Sequence, residues 1–107
     1  ERAQWQKMIE TFLTSNDLLH VVIALIDSRM GPTDSDLELL AWLSEFGIPT
    51  LVVATKVDKL NRKQFNQSKK RITAAIEQYP VGGPVFFSAT KGTGKAELLF
   101  SIQSYLE

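Results

Sequence analysis

Residues Leu51–Lys59 read LVVATKVDK, an apolar run with two adjacent valines that breaks abruptly at Thr55, Lys56, Val57 and Asp58. The run is too short for a helix and predicts a buried strand that delivers polar residues at its carboxyl end. Open α/β sheets bind ligands at that end. A plainer alternative is a polar strand-to-helix turn in which Asp58 caps the next helix and Lys56 is a solvated charge.

Upstream of this strand, Trp5, Met8, Ile9, Phe12 and Leu13 recur at helical spacing and predict a helix over Arg2–Leu13, ended by the polar cluster Thr14–Asp17. Leu18–Ile26 predicts a buried strand stopping at Asp27. His20, the sole histidine, sits at the entry of that strand and reads as a structural residue, not a base or ligand. Asp27 closes VVIALID as the carboxylate of a Walker B strand does, yet GxxxxGK[ST] occurs nowhere. Ala89 stands where its first glycine is required, and Lys95 is followed by Ala96. Asp27 is therefore assigned to organising the loop Ser28–Pro32. Thr33–Asp36 predicts a capping box. The helix after it has Leu37, Leu40, Ala41, Phe46 and either Trp42 or Leu43 on its apolar face, with Gly47 as a left-handed stop.

Downstream, Asn61–Tyr79 carries Phe65, Ile72, Ile76 and Tyr79 at helical spacing and ends at Pro80, Gly82, Gly83 and Pro84. Val85–Phe87 predicts a short strand. SATKGTGK, Ser88–Lys95, then turns into a helix with Leu98, Leu99, Ile102 and Leu106 on one face and Thr93 as its N-cap.

At 107 residues and 44% hydrophobic composition the chain supports one modest core. Twelve basic residues balance twelve acidic ones. No global field draws nucleic acid or an anionic membrane, so such contacts need a local patch. Arg62, Lys63, Lys69, Lys70 and Arg71 make the most basic segment; a solvated helix face is the plainer reading, an RNA contact the alternative. The absence of cysteine excludes disulfides and thiolate metal sites and fits a reducing compartment. The apolar run Val21–Ile26 is far too short to span a bilayer.

The order helix, strand, helix, strand, helix, strand, helix predicts an α/β fold. Its three parallel strands and about four helices form three layers, with all strand ends on one edge. TKVD and SATKGTG then converge across one crevice. Here TKVD resembles the guanine-specificity motif of GTPases, and SATKGTG resembles the second loop that closes on the base. Guanine presents two adjacent donors, the ring N–H and the exocyclic amine, which one ionised carboxylate accepts together. Adenine leaves that carboxylate unpaired, a failure that supports discrimination of roughly 10⁴-fold.

The whole chain resembles the carboxyl-terminal half of a translation-factor-class GTPase domain, with motifs similar to those of the EngB (YihA/YsxC) family. The resemblance rests on WQKMIETFL at Trp5–Leu13, IDSRMGPTDSDLELLAWL at Ile26–Leu43, GIPTLVVATKVDKL at Gly47–Leu60 and FFSATKGTGKAEL at Phe86–Leu98. It implies a partial P-loop GTPase fold, residues 1–107 being the base-reading half without the phosphate-loop half. The implied guanine site is Thr55, Lys56, Asp58, Phe87, Ser88, Ala89 and Thr90. Asp58 would read the base, the stem of Lys56 would pack across it, and Ser88 with the Ala89 amide would close over it. Thr55 stands where asparagine is commoner, so the resemblance does not carry over a direct contact to guanine N7 at this position.

The resemblance further implies GTP or GDP as ligand, with Mg²⁺ in the full-length protein only and no catalytic or metal-binding residue in this chain. It implies a cytoplasmic GTPase that assists large ribosomal subunit assembly, with rRNA or ribosomal protein as partner and a link to cell division and septation. The alternative is a non-catalytic α/β interaction module that kept the fold and lost the phosphate site. In the family's sheet order Val21–Ile26 pairs with a strand this chain lacks, so the isolated chain is expected to self-associate through that edge.

Overall fold

The computed structural model describes residues 4, 7 and 21–106. Gln4 and Lys7 are helical; the rest of the helix expected over Arg2–Leu13 lies outside the described residues, as do Leu18 and His20. Among the described residues three strands alternate with three α-helices. They are β1 (Val22–Asp27), α1 (Asp34–Glu45), β2 (Thr50–Thr55), a 3-10 turn (Val57–Lys59), α2 (Arg62–Ile76), β3 (Gly82–Phe86) and α3 (Lys95–Leu106).

β2 is the central strand of a parallel sheet ordered β1-β2-β3. Because both of its faces are covered, Leu51, Val52, Val53 and Ala54 are all buried, which is why the segment reads as a continuous apolar run without alternation. Val52 and Ala54 face a core with Ala24 and Ile26 of β1, Leu40 of α1, and Ile72 and Ile76 of α2. Leu51 and Val53 face the other way, joining Val85 of β3 and the half-buried Leu98, Ile102 and Tyr105 of α3. Two helices thus cover one face and one helix the other. Each fully buried valine, leucine or isoleucine among them contributes about 1.5–3 kcal/mol.

Local signals fix the helix starts. Thr33 accepts from the Asp36 amide at 3.1 Å while the Asp36 carboxylate accepts from the Thr33 amide at 2.8 Å, completing the expected capping box. Asn61 and Gln64 form a second box at the start of α2, which the sequence reading did not identify. Gly47 adopts a φ of +67°, the left-handed stop expected after α1. Between Trp42 and Leu43, it is Leu43 that is buried; Trp42 stays partly exposed and packs on Phe46, their ring centroids 4.6 Å apart.

Three expectations are corrected. β1 is not buried on both faces: Ala24 and Ile26 are buried, but Ile23 and Leu25 on the opposite face are 36% and 64% exposed. β3 begins at Gly82, not Val85, because the Gly-Gly-Pro segment pairs with Leu51 through an irregular register before regular pairing resumes at Val53 and Val85. On α3, Leu99 and Leu106 are exposed, and Tyr105 joins Leu98 and Ile102 instead. No helix among the described residues is long and apolar enough to cross a membrane.

Candidate functional site

β2 ends by handing its backbone across to β3. The Phe87 amide donates to Ala54 O at 2.8 Å and the Val57 amide donates to Phe87 O at 3.3 Å, so the two loops leave the sheet side by side. Between those anchors Lys56 takes a left-handed conformation, φ 62° and ψ 32°. For a residue with a Cβ this conformation costs about 1–2 kcal/mol. Buried Val57 and the bonds from Lys59 and Leu60 back to Lys56 O and Val57 O close the 3-10 turn that presents Asp58. Thr55 points elsewhere: its hydroxyl donates a long 3.4 Å bond to Ile26 O on β1.

Ser88 is fully buried at the base of the second loop and donates its hydroxyl to Asp58 Oδ1 at 2.8 Å. The Ser88 oxygen in turn accepts from the Lys91 amide at 3.1 Å and lies 3.2 Å from Thr90 Oγ1. The Asp58 side chain is 12% exposed. The Ser88 hydrogen bond holds its carboxyl below the usual range, with Thr90, its own backbone amide and Lys59 adding to the effect against the cost of burial. Asp58 is therefore ionised at neutral pH, with one Oδ1 lone pair engaged and others free to accept. Ala89 and Thr90 are exposed beside it, and the Ala89 amide has no acceptor among the described residues. An open groove of about 300 Å³ runs along Asp58, Leu60, Asn61, Arg62, Phe65 and Lys91.

The second loop is shaped by Ser88 and Gly94. Ser88 N donates to Thr93 O at 3.0 Å and Gly92 N to Ser88 O at 2.9 Å. The first α-helical bond of α3 runs from Leu98 N to Gly94 O, so Thr93 is not the N-cap and its carbonyl serves the loop instead. Gly94 has a φ of +77°, and a Cβ there would fall against the Phe86 carbonyl.

Asp27 adds a part of the site that the sequence reading assigned only to its loop. Its carboxylate accepts from Arg29 N and Nη2, both at 2.9 Å, and from Arg29 Nε at 3.2 Å; its backbone oxygen accepts from Met30 and Gly31. The Arg29 side-chain bonds lower its pKa to about 2, and Asp27 in turn raises that of Arg29. Lys56 Nζ lies 3.7 Å from the same carboxylate. The signal was available in the pairing, since Asp27 lies opposite Thr55, one residue before Lys56. Behind it, Ser68 and Arg71 of α2 clamp the loop by donating to Ser28 O, at 2.6 and 3.0 Å.

The structure thus brings Lys56, Asp58, Ser88, Ala89 and Thr90 to one edge of the sheet. Phe87 contributes its backbone, while its ring packs toward α3, and the Thr55 hydroxyl is used within the sheet. An ionised carboxylate, a free amide and an alkyl stem suit a planar heterocycle with two adjacent donors and one acceptor. Among the described residues no three metal-ligating side chains converge.

Comparison with known proteins gives this geometry a lineage. The elongation factor Tu GTP binding domain family matches residues 6–107. A probable GTP-binding protein EngB of Levilactobacillus brevis is 44% identical over 95 residues, covering 89% of this chain and 48% of that protein. Its namesake in Shouchella clausii is 35% identical over 107 residues, covering 100% and 54%. The chain spans about half the length of these curated relatives. Among solved structures, apo elongation factor SelB of Methanococcus maripaludis superposes with a TM-score of 0.77 at 20% identity, covering 100% of this chain and 24% of that one. That likeness speaks to the fold. The EngB resemblance and the α/β GTPase-like fold expected from the sequence are both borne out.

Proposed function

As the chain belongs to the elongation factor Tu GTP-binding-domain family, we propose that it is the base-reading part of a GTP-binding protein of the EngB type. The observation that carries this reading is the 2.8 Å bond from Ser88 to Asp58, which joins the two loops and fixes an ionised carboxylate at the sheet edge. Guanine's ring N–H and exocyclic amine donate to Asp58, and the Ala89 amide donates to the carbonyl oxygen of the base. The alkyl stem of Lys56 lies along the ring, its ammonium held toward Asp27. Thr55 supports the turn from within the sheet and makes no base contact.

In this reading GTP and GDP are the ligands, and the hydrolytic chemistry belongs to the phosphate side of the site. Magnesium, expected for the full-length protein, takes no ligand from the described residues; when bound it neutralises phosphate charge. A cytoplasmic role in assembling the large ribosomal subunit, with its link to cell division, completes the proposal and rests on the EngB kinship. The test is competition binding with a labelled guanine nucleotide: GTP displaces it, while ATP fails even at roughly 10⁴-fold higher concentration. Equal displacement by ATP would overturn the reading.

A further inference from the structure

Over its fifteen residues α2 carries Arg62, Lys63, Lys69, Lys70 and Arg71 and no carboxylate, in a chain whose charges cancel only when this helix is counted. Arg71 is engaged, its guanidinium donating to Ser28 O and Gly31 O. Arg62, Lys63, Lys69 and Lys70 are exposed and pair with no carboxylate among the described residues.

At 3.6 residues per turn these four cations fall within about a third of the helix circumference. Arg62 and Lys69, like Lys63 and Lys70, are separated by about 10 Å along the axis. Shallow grooves of about 580 and 480 Å³ run between them, floored by Asn66, Gln67 and Thr73. Glu77, the one acid bordering this arc, lies beyond the helix end.

The face holds no large apolar residue: Phe65, Ile72 and Ile76 turn inward, and only Ala74 is exposed among the hydrophobics. It therefore lacks the aromatic or aliphatic anchor that protein partners and membrane interfaces use. Arg62 and Lys63 also occupy the first turn, where positive charge opposes the helix dipole. A polyanion relieves that conflict, and the interleaved amides and hydroxyl can hydrogen-bond ribose.

We propose that this face of α2 binds RNA, its four free cations contacting backbone phosphates and Asn66, Gln67 and Thr73 reaching ribose hydroxyls. This deepens the ribosome-assembly reading by giving it a surface, which shares only Arg62 with the groove beside Asp58.

The test uses the full-length protein and a fluorescent RNA hairpin, with anisotropy followed across a salt series. Replacing Lys63, Lys69 and Lys70 by Gln, with Arg62 left in place beside the base groove, keeps good helix formers at exposed positions. The variant is expected to bind the hairpin at least about tenfold more weakly, its log-affinity against log-salt slope reduced by about 2. GTP affinity, unchanged in the variant, shows that the fold and base site persist, so failure of this inference is read separately from failure of the nucleotide assignment. The pair Lys63→Glu and Lys70→Glu, exposed and one helix face apart from the core, is expected to lose binding more steeply. Unchanged affinity and slope in both variants would overturn the proposal. So would equal binding of a DNA hairpin of the same sequence, or tighter binding to phosphatidylserine vesicles than to RNA.

Discussion

Ser88 Oγ donates to Asp58 Oδ1 at 2.8 Å, joining two loops that are thirty residues apart in the chain. The bond favours the ionised carboxylate, so base reading persists until pH falls well below neutrality. In Ser88→Ala the Asp58 pKa is expected to rise, moving the acid loss of guanine-nucleotide binding to higher pH. Affinity measured from about pH 7 down to about pH 2 checks this, and identical profiles for the two proteins across that range would show that Ser88 does not hold the carboxylate.

The Asp27–Arg29 pair predicts acid sensitivity of the fold. Asp27 has its pKa lowered from 3.8 to about 2. Its contribution is therefore fully present above pH 4 and is lost as pH falls toward 2. With the side chain 29% exposed, solvent screening leaves this on the order of 1 kcal/mol. Arg29→Ala is expected to return the Asp27 titration toward 3.8 and to remove that part of the pH dependence; carboxyl NMR and urea unfolding at pH 3 and 6 measure both. An unmoved titration contradicts the pairing.

Gly94→Ala is expected to destabilise the chain by at least about 2 kcal/mol, through both the positive φ and the collision with the Phe86 carbonyl. Because the Gly92–Gly94 segment carries the bonds that shape the Ser88 loop, nucleotide affinity falls with it. Urea unfolding decides: a variant as stable as the parent would mean that the loop relaxes freely.

β1 pairs with β2 alone among the described strands, and Ile23 and Leu25 expose an apolar face along it. Such an edge templates pairing with another chain. The 107-residue chain is accordingly expected to self-associate through Val21–Ile26 as concentration rises, and Leu25→Lys to suppress it. Sedimentation showing a monomer throughout, with slow amide exchange in β1, would mean the edge is covered.

The central strand, its parallel neighbours and the convergence of both loops were legible because burial on two faces leaves an uninterrupted apolar run, and strand–helix alternation dictates handedness. Thr33 and Asp36 announced their capping box, and Asn61 and Gln64 offered the same signal. What stayed hidden depends on tertiary context. The left-handed turn at Lys56 has no glycine to mark it and is imposed by the flanking bonds to Phe87. Gly82–Pro84 reads as a chain breaker until pairing with β2 draws it into the sheet. The inward use of Thr55, and the choice of Leu43 over Trp42, follow from neighbours distant in sequence.

The central claim is that Asp58 reads the base, and nucleotide competition on Asp58→Asn in the full-length protein tests it most directly. An amide can donate to the oxygen that xanthine carries where guanine has its amine, so the pairing inverts. Weakened GTP binding and a preference shifted toward xanthosine triphosphate are expected; an Asp58→Asn protein that keeps the parent's preference for GTP would contradict the assignment of Asp58.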